Sequence, residues 1–131
     1  MAKNKPNILI VEDDANIRKT LSIILQQRGY NTDTAKNGNE AKQKSKAKFF
    51  HLALIDIKLP DMEGKELLTK MRTYTPKMMK IMVTGYPSLE NAVEALNKGA
   101  DAYLTKPVKP EELLTLVKEK LKEQRQIKEI M

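Results

Sequence analysis

Four short apolar runs, each ending on a residue with chemistry to offer, constrain this chain more than any other feature. Ile8-Leu9-Ile10-Val11 runs into Glu12-Asp13-Asp14, and Leu52-Ala53-Leu54-Ile55 runs into Asp56. Ile81-Met82-Val83 ends at Thr84-Gly85, and Ala102-Tyr103-Leu104 ends at Thr105-Lys106-Pro107. Short continuous apolar runs suit strands buried on both faces, as in a parallel sheet covered by helices on each side. A fifth, more polar stretch, Tyr30 to Ala35, reads as a strand at a sheet edge.

Helical patterns fill the gaps. Ala15 to Arg28 carries Ile17, Leu21, Ile24 and Leu25 at helical spacing, with Gly29 as a stop. Asn37-Gly38 turns into a lysine-rich, weakly apolar helix over Asn39 to Lys48, and another covers Gly64 to Arg72. Ser88 caps a fourth helix that reaches Lys98 before Gly99, and Pro110 opens the last one. Alternating strands and helices predict parallel strands joined by right-handed crossovers. The expected fold is α/β: a three-layer sandwich with five helices around a five-stranded sheet. Strand order 2-1-3-4-5, the flavodoxin-like arrangement, puts the polar second strand at an edge.

Length and composition narrow the classes. The 131 residues are read as one domain, with 40% hydrophobic and 31% charged residues. No apolar run nears the roughly 20 residues that cross a bilayer. Glu12-Asp13-Asp14 ends the first run too early for a signal segment. The reading is cytoplasmic, with no membrane contact. No cysteine is present, which excludes disulfides and thiol catalysis. The formal charge of +7 comes from lysines spread over many segments. With two Phe, four Tyr and no Trp for base stacking, direct nucleic-acid binding is not expected.

In a parallel sheet the four polar strand ends share one rim, where ligands of open α/β sheets bind. Glu12, Asp13, Asp56, Thr84 and Lys106 should therefore meet there. Clustered carboxylates repel unless a cation lies among them, and hard oxygen donors suit Mg²⁺. A carboxylate can attack phosphorus, while a metal and a lysine neutralise the transferring phosphoryl group. Taken singly, each residue has a blander role: Asp14 as a helix cap, Asp56 in an Asx turn, Lys106 as a solvated lysine.

Over nearly its whole length the chain resembles bacterial and archaeal two-component response-regulator receiver domains. Four segments carry the likeness: Ile8 to Asp14, Asp56-Ile57-Lys58-Leu59-Pro60-Asp61-Met62-Glu63-Gly64, Val83-Thr84-Gly85-Tyr86, and Tyr103-Leu104-Thr105-Lys106-Pro107. The resemblance implies that Asp56 accepts the phosphoryl group and that Asp13 ligates Mg²⁺. Glu12, where many members have Asp, holds the metal through water, and the Lys58 backbone carbonyl completes the site. Lys106 pairs with Asp56 or its phosphoryl group, and Thr84 moves to bond that group. Tyr103 turns inward after Thr84, and the Lys106-Pro107 bond is often cis in the family. Lys58 and Tyr86 flank the path of the hydrolytic water, and their bulk predicts slow self-dephosphorylation.

The implied function is a signalling switch rather than an enzyme with turnover. The donor is a sensor histidine kinase or a histidine phosphotransfer protein. The readout is the face of the fourth helix, fifth strand and fifth helix, Ala92 to Lys98 and Glu111 to Val117, through which homodimers form. Two other classes compete. A haloacid-dehalogenase-like phosphatase needs an acid two residues after its nucleophile, where this chain has Lys58. A constitutive binding module would not need the acidic pair, Thr84 and Lys106. His51 reads as a surface or strand-edge residue, and Met71, Met78, Met79 and Met82 as packing. Residues 123–131 read as a charged helix end or, alternatively, as an extension toward an output domain. Toward that end of the chain Val117, Leu121, Gln124 and Met131 lie near a coiled-coil period, and Ile127 and Ile130 add apolar surface.

Overall fold

A computed structural model describes residues 5–85 and 89–130. The strands are β1 (Asn7–Val11), β2 (Asn31–Ala35), β3 (Leu52–Asp56), β4 (Met79–Thr84) and β5 (Ala102–Thr105). The helices are α1 (Ala15–Gln27), α2 (Gly38–Ala47), α3 (Gly64–Tyr74), α4 (Leu89–Asn97) and α5 (Pro110–Ile130). All pairings are parallel, in the order β2-β1-β3-β4-β5. This is the expected α/β sandwich, in the flavodoxin-like order that puts the polar β2 at one edge.

Strand alternation splits the core in two. Leu9, Val11, Ala53 and Ile55 point to one face, where Ala41 of α2, Leu67, Leu68 and Met71 of α3 and Ala95 of α4 cover them. Ile8, Ile10, Leu52 and Leu54 point to the other, under Leu21 and Leu25 of α1 and Leu113, Val117 and Leu121 of α5. Burying a large aliphatic side chain yields about 1.5–3 kcal/mol, so the three central strands carry the fold. Met71, Met78, Met79 and Met82 are all buried, as packing residues should be.

The helix ends explain where the chain turns. Asp14 Oδ1 accepts from the Asn16 and Ile17 amides at 2.9 and 3.0 Å, so it caps α1 as its sequence position suggested. Gly29 and Gly99 follow α1 and α4 with φ of 89° and 111°, a conformation that favours glycine. The proposed Ser88 cap lies outside the described residues. His51 is half-buried at the start of β3, and its Nδ1 accepts from the Asn7 amide at 3.0 Å.

α5 is continuous to Ile130. Val117, Leu121 and Gln124 face the chain's own core, and Ile127 packs against it. Of the positions near a coiled-coil period, Val117, Leu121 and Gln124 thus pack within this domain, while Met131 lies outside the described residues. Among the described residues, no helix is long and apolar enough to cross a membrane.

Candidate functional site

The carboxyl ends of β1, β3 and β5 deliver their side chains to one cleft. It encloses about 540 Å³ and is lined by Glu12, Asp13, Asp14, Asp56, Lys58 and Lys106, among others. Lys106 Nζ is the hub, 2.7 Å from Glu12 Oε1 and 2.9 Å from Asp56 Oδ2. The Lys58 amide donates to Asp56 Oδ1 at 3.2 Å, and the Asp14 amide donates to Glu12 Oε2 at 3.1 Å. Both buried carboxylates are thus held by one amide and one shared ammonium.

Backbone contacts hold this arrangement in place. The Lys106 amide donates to the Thr84 carbonyl at 2.7 Å, aligning the end of β5 with the end of β4. The Lys106-Pro107 peptide is cis, as the resemblance implied. Gly64 donates to the Ile57 carbonyl at 2.7 Å and leaves no room for a side chain beneath Asp56.

Electrostatics in the cleft are unbalanced. Glu12, Asp13 and Asp56 each offer an oxygen within 4.8 Å of the others; the Lys106 ammonium reaches two of them, and Lys58 lines the same cleft. Desolvation pushes the Glu12 pKa from 4.5 up to about 7, against the pull of Lys106 and the Asp14 amide. Burial opposes the charge on Lys106, but Glu12 and Asp56 outweigh it, and its pKa is raised. An all-oxygen donor set short of positive charge fits a hard divalent cation such as Mg²⁺. Asp13 is the exposed member of the set.

The remaining sequence-predicted residues occupy different positions. Thr84 ends β4 fully buried, next to Gly85, which lines the cleft. The Tyr103 ring packs inward on the core face shared with Ile55 and Met82, and among the described residues its buried hydroxyl has no hydrogen-bond partner. Tyr86 lies outside the described residues.

Two residues with no role assigned from sequence hold the loops. Arg18 Nη1 donates to the Glu12 and Asp13 carbonyls at 2.8 and 3.2 Å. Asp61 accepts from the Gly38 and Asn39 amides at 2.8 and 2.9 Å, fastening the loop after β3 to the start of α2. For Arg18 the only signal is a cation in the first turns after an acidic loop.

A family model for the response regulator receiver domain matches residues 8–118. The transcriptional regulatory protein ZraR of Klebsiella oxytoca is 36% identical over 92% of this chain and 27% of its own length. The regulatory protein AtoC of Escherichia coli is 37% identical over 94% of this chain and 27% of its own. The chain thus spans about a quarter of the length of these curated relatives. The crystal structure of a CheY-like receiver domain from Methanospirillum hungatei superposes with a TM-score of 0.90. It is 53% identical and covers 94% of this chain and 98% of that one.

Proposed function

The chain is a member of the response regulator receiver domain family, and we propose that it accepts a phosphoryl group on Asp56 from a histidine kinase or histidine phosphotransfer protein. The observation that carries this reading is the Lys106 ammonium set between Asp56 and Glu12 in a cleft of three carboxylates. In the transfer an Asp56 oxygen forms a bond to phosphorus as the donor's P–N bond breaks. The electron pair leaves on the imidazole nitrogen.

Asp13, Asp56, Glu12 and the Lys58 carbonyl would hold Mg²⁺, which when bound neutralises phosphoryl oxygens. Lys106 neutralises charge from the β5 side. Thr84 supplies a hydroxyl once its loop moves. An apolar cleft of about 470 Å³, lined by Ile17, Ile24 and Val108 and reaching Lys106, gives the donor protein a seat beside the site.

Phosphorylation adds charge and acceptor oxygens, and biases an existing equilibrium rather than building a new fold. The Tyr103 ring packs on the core face, and its switching is a shift in population between inward and outward rotamers. The readout is the α4-β5-α5 face, where Val93 and Leu96 are exposed apolar residues suited to a partner or a second copy. The chain is a signalling domain of the cytoplasm. It catalyses only its own phosphotransfer and dephosphorylation, and does not bind nucleic acid directly.

Acetyl phosphate or beryllofluoride with Mg²⁺ tests the proposal. A mass gain, or NMR shifts spreading from Asp56 to Tyr103, is expected in the wild type and not in Asp56→Asn. Equal labelling of Asp56→Asn would refute it. Turnover of a phosphomonoester would point instead to a phosphatase.

A further inference from the structure

We propose that a groove at the amino-terminal end of the sheet docks an acidic peptide segment of a partner protein, anchored by one apolar side chain. The groove lies between the end of α2 and the loop joining α3 to β4, with a volume of about 430 Å³. It opens on the rim opposite the phosphoacceptor, roughly 15 Å away along β3. Its floor is apolar, formed by Ala47, Phe50 and Met78. Lys46, Lys48 and Lys77 stand around it, and among the described residues no carboxylate lines it.

Both walls are fixed in advance. On one side, Phe49 is 45% exposed yet held at two points. The Asn7 side-chain amide donates to the Phe49 carbonyl at 3.2 Å, and the Phe49 ring stands edge-on to His51 with centroids 4.8 Å apart. His51 is itself fixed by the Asn7 amide at 3.0 Å. On the other side, the buried Lys80 ammonium donates to the Thr75 and Met78 carbonyls at 3.0 and 2.8 Å, pinning the loop from beneath. Lys48 Nζ lies over the Phe50 ring, 5.5 Å from its centroid.

An exposed aromatic ring held rigid gives the folded chain little in return. It does suit an interface, because a pre-ordered anchor lowers the entropic cost of binding. The charge selects the partner: the rim lysines complement carboxylates on either side of an apolar anchor. The shape selects a peptide over a bilayer. Among the described residues Phe49 is the one large apolar side chain exposed at this groove, whereas an anionic membrane calls for a broad protruding apolar face.

The test is an NMR titration of the full chain with a synthetic peptide in which Asp and Glu alternate with Leu and Phe. Saturable shifts at Ala47, Phe49, Thr75 and Met78 are expected. Binding should weaken roughly five-fold or more in Phe49→Ala, and similarly in the Lys48→Glu/Lys77→Glu variant. Both changes fall on the groove's rim, and a dispersed spectrum verifies folding. Shifts centred elsewhere, no saturable shifts, equal binding of the Asn/Gln version of the peptide, or unchanged affinity in both variants would overturn the proposal. So would Phe49-dependent binding to phosphatidylglycerol vesicles stronger than binding to the peptide.

Discussion

Gly64 and Asp56 are packed back to back: a Cβ at Gly64 would overlap the carbonyl oxygen of Asp56 and press on the Ile57 backbone. The obstacle is backbone, so Gly64→Ala must move the end of β3 and with it the phosphoacceptor. Overpacking of this kind costs about 1–3 kcal/mol. The comparison is Gly38→Ala, whose Cβ would press first on the flexible thioether side chain of Met62. Urea unfolding should show the larger loss for Gly64→Ala. Acetyl phosphate labelling should be slowed in that variant and near normal in Gly38→Ala.

Lys106 stands between two buried carboxylates, so removing it leaves both without their cation. Lys106→Met should lose roughly 1.5–3 kcal/mol at pH 8 without Mg²⁺, the usual cost of stranding a charged hydrogen-bonding group. The loss should shrink at pH 5.5, where Glu12 takes up a proton and two carboxylates become one. A loss of equal size at both pH values would mean that Lys106 acts through packing alone.

Glu12 gives the pH dependence its sign. Its folded pKa of about 7 lies above the ordinary 4.5, so between those values the folded state binds more protons than the unfolded state. Stability from this group is therefore full below about pH 4.5 and falls as pH rises to about 7, by up to about 3 kcal/mol. The difference in melting temperature between wild type and Glu12→Gln, measured in EDTA across pH 4.5–8, should follow that course. A divalent cation competes with the proton, so stabilisation by Mg²⁺ should be larger at pH 8 than at pH 5.5.

Asp13, Asp56 and Lys106 were legible in the sequence because each follows a buried strand, and a parallel sheet sends all such ends to one rim. Thr84 was legible as a strand end, but its burial depends on how β4 and β5 meet. Gly64, Arg18 and Asp61 were hidden for a different reason. They act through approach in space, and Asp61 caps a helix 23 residues earlier in the chain. Gln124 is the clearest case. Its spacing suited a helix seam, yet the direction in which α5 lies across the sheet turns it inward, and periodicity says nothing about that direction.

Lys58 lines the cleft two residues past the acceptor, the position that the family resemblance places beside the path of the hydrolytic water. Lys58→Ala should shorten the lifetime of the phosphorylated state about two-fold or more, a barrier change near 0.4 kcal/mol. Decay of the labelled protein after removal of acetyl phosphate measures it. An unchanged or longer lifetime would assign the restriction elsewhere.

Gln124 is 1% exposed on α5, and among the described residues neither its Oε1 nor its Nε2 has a hydrogen-bond partner. A buried amide without partners costs about 1–3 kcal/mol relative to an apolar group of similar shape. Leucine is a good helix former and matches the neighbouring Leu121 and Val117 in chemistry. Gln124→Leu should therefore raise the unfolding free energy by about 1 kcal/mol or more, or roughly 4 °C in melting temperature. Phosphoryl acceptance should be unaffected, because α5 meets the cleft at its other end. A loss of stability would instead mean that the amide is bonded in the folded protein and that this part of α5 is held by a polar contact rather than by apolar burial alone.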